Sequence, residues 1–208
     1  MDPSWVEAGA VFRWPDRDGL MRALVHDGAV VMYDAWWSHL GNWGLADPQK
    51  VKQGRVSYYV VHSSVLAEKA TFVRSEPLTA DERAVHRPDL PFAVAQSARL
   101  SWPAEVSQTP AWAAEFCATT GRLEGAGLQT PEVYLCPFGP KGGSKAGVRV
   151  RADNGTSFTA EELIRKAATI QAPNVGDAVP VHGVGIYRLG LQRGVPAFYL
   201  WGVESRML

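Results

Sequence analysis

Residues 20–37 read LMRALVHDGAVVMYDAWW, and this stretch decides the expected fold class. Two apolar runs flank Asp27-Gly28, and an Asp-Gly pair between such runs is the strongest short-range signal of a β-hairpin. A tight type I′ turn needs positive φ at both central positions, which these two residue types tolerate. The stretch therefore predicts two antiparallel strands joined by a type I′ turn.

Further strand-like segments lie on both sides of this hairpin and are separated mostly by short turns. They cover 10–14, 55–62, 69–75, 91–102, 132–138 and 146–152, followed by a closing hairpin around Arg193-Gly194. Strands that are adjacent in sequence and joined by short turns favour antiparallel pairing, and we expect about nine of them.

Helix signals are fewer and predict two or three helices packed on a sheet face. Thr79 and Glu82 have the spacing of a capping box for a short helix that ends before Pro88. Residues 109–121 predict a second helix, with a threonine N-cap, a proline in the first turn and a glycine past the end.

Residues 159–172 carry the clearest helical pattern in the chain. Thr159 and Glu162 again have capping-box spacing, and Pro173 is expected to end the helix. Apolar residues recur at the spacing of one helix face, and two ion pairs have the favourable i, i+4 order. The apolar stripe is Ala160, Leu163, Ile164, Ala167 and Ala168, and the pairs are Glu161 with Arg165 and Glu162 with Lys166.

These elements predict an α+β protein that is mainly antiparallel β. We expect residues 1–208 to form a single compact unit, with a soft boundary near 103–130 between a β-rich half and an α+β half. An SH3-like or other small barrel is compatible with the N-terminal strands.

Composition narrows the class of protein. The chain has 208 residues, 46% of them hydrophobic, and a net charge of zero, which argues against a protein that mainly coats nucleic acid. Cys117 and Cys136 have no metal-ligand spacing, and two buried thiols are favoured over a disulfide. No secretory signal and no apolar run of about 20 residues is present. We expect a cytoplasmic protein with no membrane span, cofactor or metal.

Aromatic residues crowd the stretch 33–43, YDAWWSHLGNW. Because side chains alternate along a strand, Trp36 and Trp37 are expected to point to opposite faces. At least one indole is therefore expected to face outward, where tryptophan favours partner binding. The alternative is that the segment after the strand folds back, so that Trp43 packs with one strand tryptophan. The predicted partner-binding residues are Tyr33, Trp36, Trp37, His39 and Trp43.

A basic segment follows in the C-terminal part of the chain. Residues 141–166 hold six basic and three acidic side chains, a net charge of +3, whereas residues 1–48 hold seven acids and three arginines, a net charge of −4. The loop GPKGGSKAG at 139–147 lacks the Gly-Lys-Ser/Thr order of a P-loop. Either it is a hairpin loop without a ligand or it contributes to an anion-binding set, which would be Lys141, Lys145, Arg149 and Arg151.

The sequence favours a non-enzymatic module that binds a macromolecule through the tryptophan-rich edge and the basic loop and strand. Zero net charge favours a protein partner, while the mixture of aromatic and basic residues keeps nucleic acid open. The alternative is a hydrolase-type enzyme acting on nucleic acid or a nucleotide, with groups that meet only in the fold. Its candidate groups are His39, His62, Asp34, Lys141 and Lys145. A subunit of a larger assembly is a third hypothesis.

Overall fold

The computed structural model describes residues 4–102, 127–138, 145–175 and 181–201. They form an α+β fold in which antiparallel pairing dominates, as the sequence predicted. The predicted helix at 109–121, Cys117 and Lys141 lie outside the described residues. The chain divides into two compact units, which comprise Met1–Phe92 with Gly190–Val195, and Ala93–Leu189 with Pro196–Leu208.

The first unit is built on an antiparallel sheet with three short helices. Its strands are β1 (Ala10–Arg13), β2 (Met21–His26), β3 (Val30–Trp37), β4 (Asn42–Trp43), β5 (Arg55–Ser57), β6 (Tyr59–His62) and β7 (Thr71–Ser75). Its helices are α1 (Pro48–Val51), α2 (Ser63–Lys69) and α3 (Ala80–His86). The strand order is β7-β1-β2-β3, and β3 then pairs with β6 along its first half and with β4 at its end.

One apolar core fills the inner face of this sheet. Its buried members are Val6, Ala10, Phe12, Trp14, Met21, Ala23, Val31, Tyr33 and Leu66. Val61 of β6 packs against this core, and Trp5 links its Phe12 to Phe72 of β7. All five residues of β7 are exposed, and this edge strand reaches the core through Trp5. The small N-terminal barrel stays a prediction.

The predicted hairpins are present, but one turn type is wrong. At Asp27-Gly28 only the glycine has a positive φ, of 89°, so the turn is not type I′. The Asp27 carboxylate accepts the backbone N–H of Val30 at 3.0 Å, and the Asp27 N–H donates to the Val30 carbonyl at 3.2 Å, so both contacts close the turn. The type I′ pattern occurs at Arg193-Gly194, where φ is 51° and 75°.

The stretch 55–62, expected to be a single strand, is split at Tyr58 into β5 and β6. The Tyr58 side chain is 7% exposed and its hydroxyl lies 3.1 Å from His86 Nδ1 on α3. This anchor separates the two strands, so that β5 pairs with Gly190–Gln192 while β6 pairs with β3. Gly190 fits this position because a Cβ there would lie 2.0 Å from the Val56 carbonyl oxygen.

The second unit contains five strands and one long helix among its described residues. They are β8 (Ala93–Trp102), β9 (Glu132–Cys136), β10 (Val148–Arg151), β11 (Val181–Gln192), β12 (Val195–Trp201) and α4 (Ala160–Val175). The order is β10-β9-β12-β11, with β8 also pairing β11. The β9–β12 pair is parallel, whereas β10 with β9 and β8 with β11 are antiparallel.

Helix α4 confirms the predicted apolar stripe and corrects its ends. Leu163, Ile164, Ala167 and Ala168 are buried, and Ala160 is partly buried. Pro173 was expected to end the helix, yet it lies inside the last turn, where a missing N–H costs only one hydrogen bond.

The capping box predicted at the start of α4 is only half formed. The Thr159 hydroxyl accepts the Glu162 N–H at 3.2 Å, but the Glu162 carboxylate accepts the Asp153 N–H at 2.7 Å instead of reaching back to Thr159. Lys166 pairs with Glu162 at 3.0 Å as predicted, whereas Arg165 pairs with Asp153 at 2.9 Å. Asp153, in the turn before the helix, therefore replaces two of the predicted contacts: its N–H donates to the Glu162 carboxylate, and its side chain pairs with Arg165.

Candidate functional site

The tryptophan-rich stretch forms a second hairpin, between β3 and β4. Trp36 lies opposite Trp43 and Trp37 opposite Asn42, which leaves a four-residue loop at 38–41. The Trp37 carbonyl accepts the backbone N–H groups of Leu40 and Gly41 at 2.9 and 3.0 Å. Gly41 has a φ of 64°, a value that residues other than glycine rarely adopt. The loop therefore has a defined geometry.

Trp36 and Trp43 pack together as a cross-strand pair. Their ring centroids are 5.2 Å apart at an interplanar angle of 83°, an edge-to-face contact. Trp36 is partly buried and Trp43 is only 4% exposed. The segment after β3 therefore folds back, as the alternative interpretation of the sequence had it.

Trp43 is also held by charged side chains. The Arg22 guanidinium lies over its ring at 5.0 Å, and its Nε1–H donates to Glu76 Oε1 at 2.5 Å. Arg22 itself is buried and donates to Glu82 Oε1 at 2.5 Å. These contacts make Trp43 part of the interior of the first unit, where it cannot meet a partner without rearrangement.

Asp34 fixes the segment that follows β4. Its carboxylate accepts the backbone N–H groups of Ala35 at 2.7 Å and Leu45 at 2.8 Å, while the Leu45 carbonyl lies 3.1 Å from His86 Nε2. Burial raises the pKa of Asp34, and the two backbone hydrogen bonds oppose that rise. Asp34 is 3% exposed, so its role is to hold this segment in place.

The groups considered for hydrolysis do not assemble in the first unit. His62 lies opposite Val30, four residues along β3 from Asp34, a separation of roughly 13 Å at about 3.3 Å per residue. His39 lies in the loop after β3, and Lys145 belongs to the second unit. His62 and Asp34 are therefore too far apart for a hydrogen-bonded relay.

Trp37, His39 and Leu40 form an exposed group, the hairpin tip, in which Trp37 and Leu40 are apolar. Trp37 is 46% exposed and Leu40 49%, and the rings of Trp37 and His39 stack at 5.5 Å and 28°. Trp37 also rests on Gly44, where an added Cβ would lie 2.9 Å from the indole nitrogen. One indole thus faces outward, as expected, and its orientation is set by its neighbours. Of the five predicted partner-binding residues, only Trp37 and His39 are exposed, because Tyr33 and Trp43 are buried and Trp36 is partly buried.

The two arginines of β10, Arg149 and Arg151, lie close to an acidic side chain of the neighbouring strand β9. Arg149 donates to both carboxylate oxygens of Glu132, at 3.0 and 2.6 Å, and these bonds raise the pKa of Arg149. Arg151 lies 3.7 Å from the same carboxylate and keeps 79% of its side chain exposed. Lys145 is exposed. Among the described members of the predicted anion-binding set, Arg149, Arg151 and Lys145, the last two are thus best placed to meet a ligand.

Acidification tests the contribution to stability of Glu82, which pairs with Arg22 next to Trp43. Burial would raise the pKa of Glu82, but the Thr79 N–H and Arg22 outweigh it and place the pKa below the ordinary 4.5. A carboxyl with a lowered folded-state pKa stabilises the fold above its unfolded pKa, and this contribution is lost as pH falls through the folded value. We expect the stability difference between wild type and Glu82→Gln to be constant above about pH 5.5 and to shrink below pH 4.5, measured by urea unfolding from pH 3 to 7. A difference that grows on acidification would contradict this assignment.

Sequence reasoning missed a cleft in the first unit, of about 480 Å³. Its lining residues are Trp14, Pro15, Asp16, Arg17, Tyr33, Val60, Val61 and Lys69. They come from four separate segments, and no spacing in the sequence signals their meeting. In the sequence, the only sign of the cleft is the aromatic residue Trp14, directly before the turn at Pro15–Arg17.

Two features are absent from the described ranges. No helix there combines the length and apolarity needed to cross a bilayer. No group of three or more His, Cys, Asp or Glu residues in these ranges is arranged to hold a metal ion.

No protein-family model, curated protein or solved structure matches the chain.

Proposed function

We propose that the protein is a binding module that recognises a protein partner through the hairpin tip of Trp37, His39 and Leu40. The observation that carries the proposal is the half-exposed Trp37 indole, held in a fixed orientation at the end of a braced hairpin. Large aromatic side chains of this kind supply most of the energy in many protein interfaces.

The bracing matters because binding costs less when the contacting groups are already ordered. The Trp36–Trp43 pair, the Asp34 hydrogen bonds and the positive φ of Gly41 fix the base and the loop of the hairpin. His39 stacks on the outer indole and limits its rotamers. The tip thus presents apolar area that loses little further freedom when it is buried by a partner.

Charge favours protein over nucleic acid as the partner. Residues 34–47 contain two aspartates and no lysine or arginine, and residues 1–48 have a net charge of −4. A phosphate backbone would be repelled by such a segment, whereas an apolar pocket on a protein would not. The exposed Arg151 and Lys145 lie in the second unit, and they support nucleic acid only as the second candidate partner.

Trp37→Ala is expected to abolish or strongly weaken capture of the partner. Loss of a central aromatic anchor costs about 2 kcal/mol or more, which is roughly a 30-fold loss of affinity. The stability of the first unit should change by less than about 1 kcal/mol, because the indole is half exposed. The measurement is quantitative affinity capture from the native host with wild type and variant, before and after nuclease treatment, and urea unfolding of both proteins.

The matched control is Phe72→Ala, which removes a 41% exposed aromatic side chain of the same unit that lies outside the tip. We expect Phe72→Ala to retain a nuclease-resistant partner that Trp37→Ala loses. Equal retention by both variants would refute the tip as the binding surface. Loss of the partner from wild type after nuclease treatment would shift the assignment to nucleic acid.

A further inference from the structure

The cleft of the first unit has an aromatic wall. Trp14 and Tyr33 line it, and both rings pack edge-on against the buried Phe12, at 6.0 and 5.4 Å. Tyr33 is stacked on Tyr59 at 5.4 Å and 23°, and Tyr59 is 53% exposed. A continuous aromatic surface therefore runs from the interior of the cleft to solvent.

A buried donor in this wall lacks an acceptor. Trp14 is 9% exposed, and its Nε1–H makes no hydrogen bond within the described part of the chain. Burial raises the pKa of Tyr33, with Trp14 and Arg17 acting against the rise, so the phenol keeps its proton at neutral pH and remains a donor. An unsatisfied buried N–H is costly unless a ligand supplies the acceptor.

The charges at the cleft favour an anion. Arg17 and Lys69 are exposed lining residues with one positive charge each, and Asp16 carries the single negative charge of the lining. Arginine and lysine bind carboxylates and phosphates through charge-assisted hydrogen bonds. The same two cations disfavour a quaternary ammonium ligand, which would otherwise suit an aromatic pocket.

We propose that this cleft binds a small molecule that combines a planar ring with an anionic group, as a nucleoside monophosphate does. The ring lies against Tyr33, and the anionic group accepts hydrogen bonds from Trp14 Nε1–H, Arg17 and Lys69. The cleft volume of about 480 Å³ falls within the usual range for small-ligand sites, roughly 300–1,000 Å³. The ligand would supply the acceptor that Trp14 lacks.

Calorimetric titration of the full chain with three probes tests the proposal. Adenosine monophosphate carries ring and charge, adenosine carries the ring alone, and inorganic phosphate carries the charge alone. We expect the monophosphate to bind at least about tenfold more tightly than either fragment, because both contacts act together. Arg17→Ala and Lys69→Ala should each weaken its binding about five- to tenfold and leave adenosine unchanged.

Two control variants show whether binding depends on the cleft itself. Lys52→Ala removes an exposed lysine of the same unit that does not line the cleft, and it should bind the monophosphate like wild type. Trp37→Ala should also bind it normally, so failure of the hairpin-tip proposal would leave this one standing. No binding of the monophosphate at millimolar concentration, or equal affinity in wild type and both cleft variants, would overturn the proposal. Binding of tetramethylammonium in preference to the monophosphate would do the same.

Discussion

Trp43→Ala is expected to destabilise the first unit by about 3–5 kcal/mol, the usual cost of truncating a large buried aromatic side chain. Trp43 is 4% exposed and contacts Trp36 edge-on at 5.2 Å. The substitution also leaves the Glu76 carboxylate without its 2.5 Å donor and removes the ring beneath the Arg22 guanidinium. A cavity and two weakened polar contacts therefore arise at one position.

Trp37→Ala is the matched control, since it removes the same side chain from a position six residues away that is 46% exposed. Urea unfolding followed by circular dichroism should show a large loss of stability for Trp43→Ala and a small one for Trp37→Ala. Hydrogen exchange over β2 and β3 should locate the effect of Trp43→Ala in the first unit. Equal losses for the two variants would show that the hairpin tip is as deeply packed as its base.

The alternation of side chains along β3 predicted part of this difference in burial between the base of the hairpin and its tip. The period of two places Trp36 and Trp37 on opposite faces, and the structure agrees. Which face is covered depends on the four-residue loop that brings Trp43 opposite Trp36. Register at the end of a strand is decided by the loop geometry and by the partners of Asp34, and neither leaves a pattern in the sequence.

Short-range signals were reliable where the expected side-chain contact is made and failed where another nearby contact replaces it. The capping box of Thr79 and Glu82 is present with both of its hydrogen bonds. The capping box at Thr159 is half formed because Asp153 competes for the Glu162 carboxylate. At Asp27-Gly28 the turn is closed by the aspartate carboxylate together with a backbone hydrogen bond from Asp27 to Val30, and it does not have the expected type I′ geometry.

The cleft shows the limit of sequence reasoning about sites. Trp14, Tyr33 and Lys69 are separated by tens of residues and meet only through the pairing of β1, β2, β3 and β6 and the position of α2. Each of these three residues is of a type that is common in the kind of segment in which it lies. A site assembled in this way from a turn, two strands and a helix end has no spacing that a single sequence can show.

Arg22→Met is expected to cost about 3–5 kcal/mol, because it leaves the buried Glu82 carboxylate without its cation. Both side chains are almost fully buried, 3% and 6% exposed, and are joined at 2.5 Å. Arg22 also contacts Glu76 at 3.7 Å and covers the Trp43 ring. The loss should exceed that of an exposed pair such as Arg74 with Glu76, for which Arg74→Met is expected to cost about 1 kcal/mol or less.

The double variant Arg22→Met/Glu82→Met decides whether the ion pair or the packing carries this stability. Replacing both partners of a buried ion pair by apolar side chains is often neutral or stabilising, whereas removing one partner is not. The double variant is therefore expected to recover a large part of the loss in Arg22→Met, reduced by the Thr79 capping contact that Glu82 also makes. Urea unfolding of the two single variants and the double variant gives the coupling free energy between the residues. Additive losses would mean that Arg22 stabilises the unit through Trp43 and its aliphatic stem, and that the buried carboxylate is satisfied by the helix N-terminus alone.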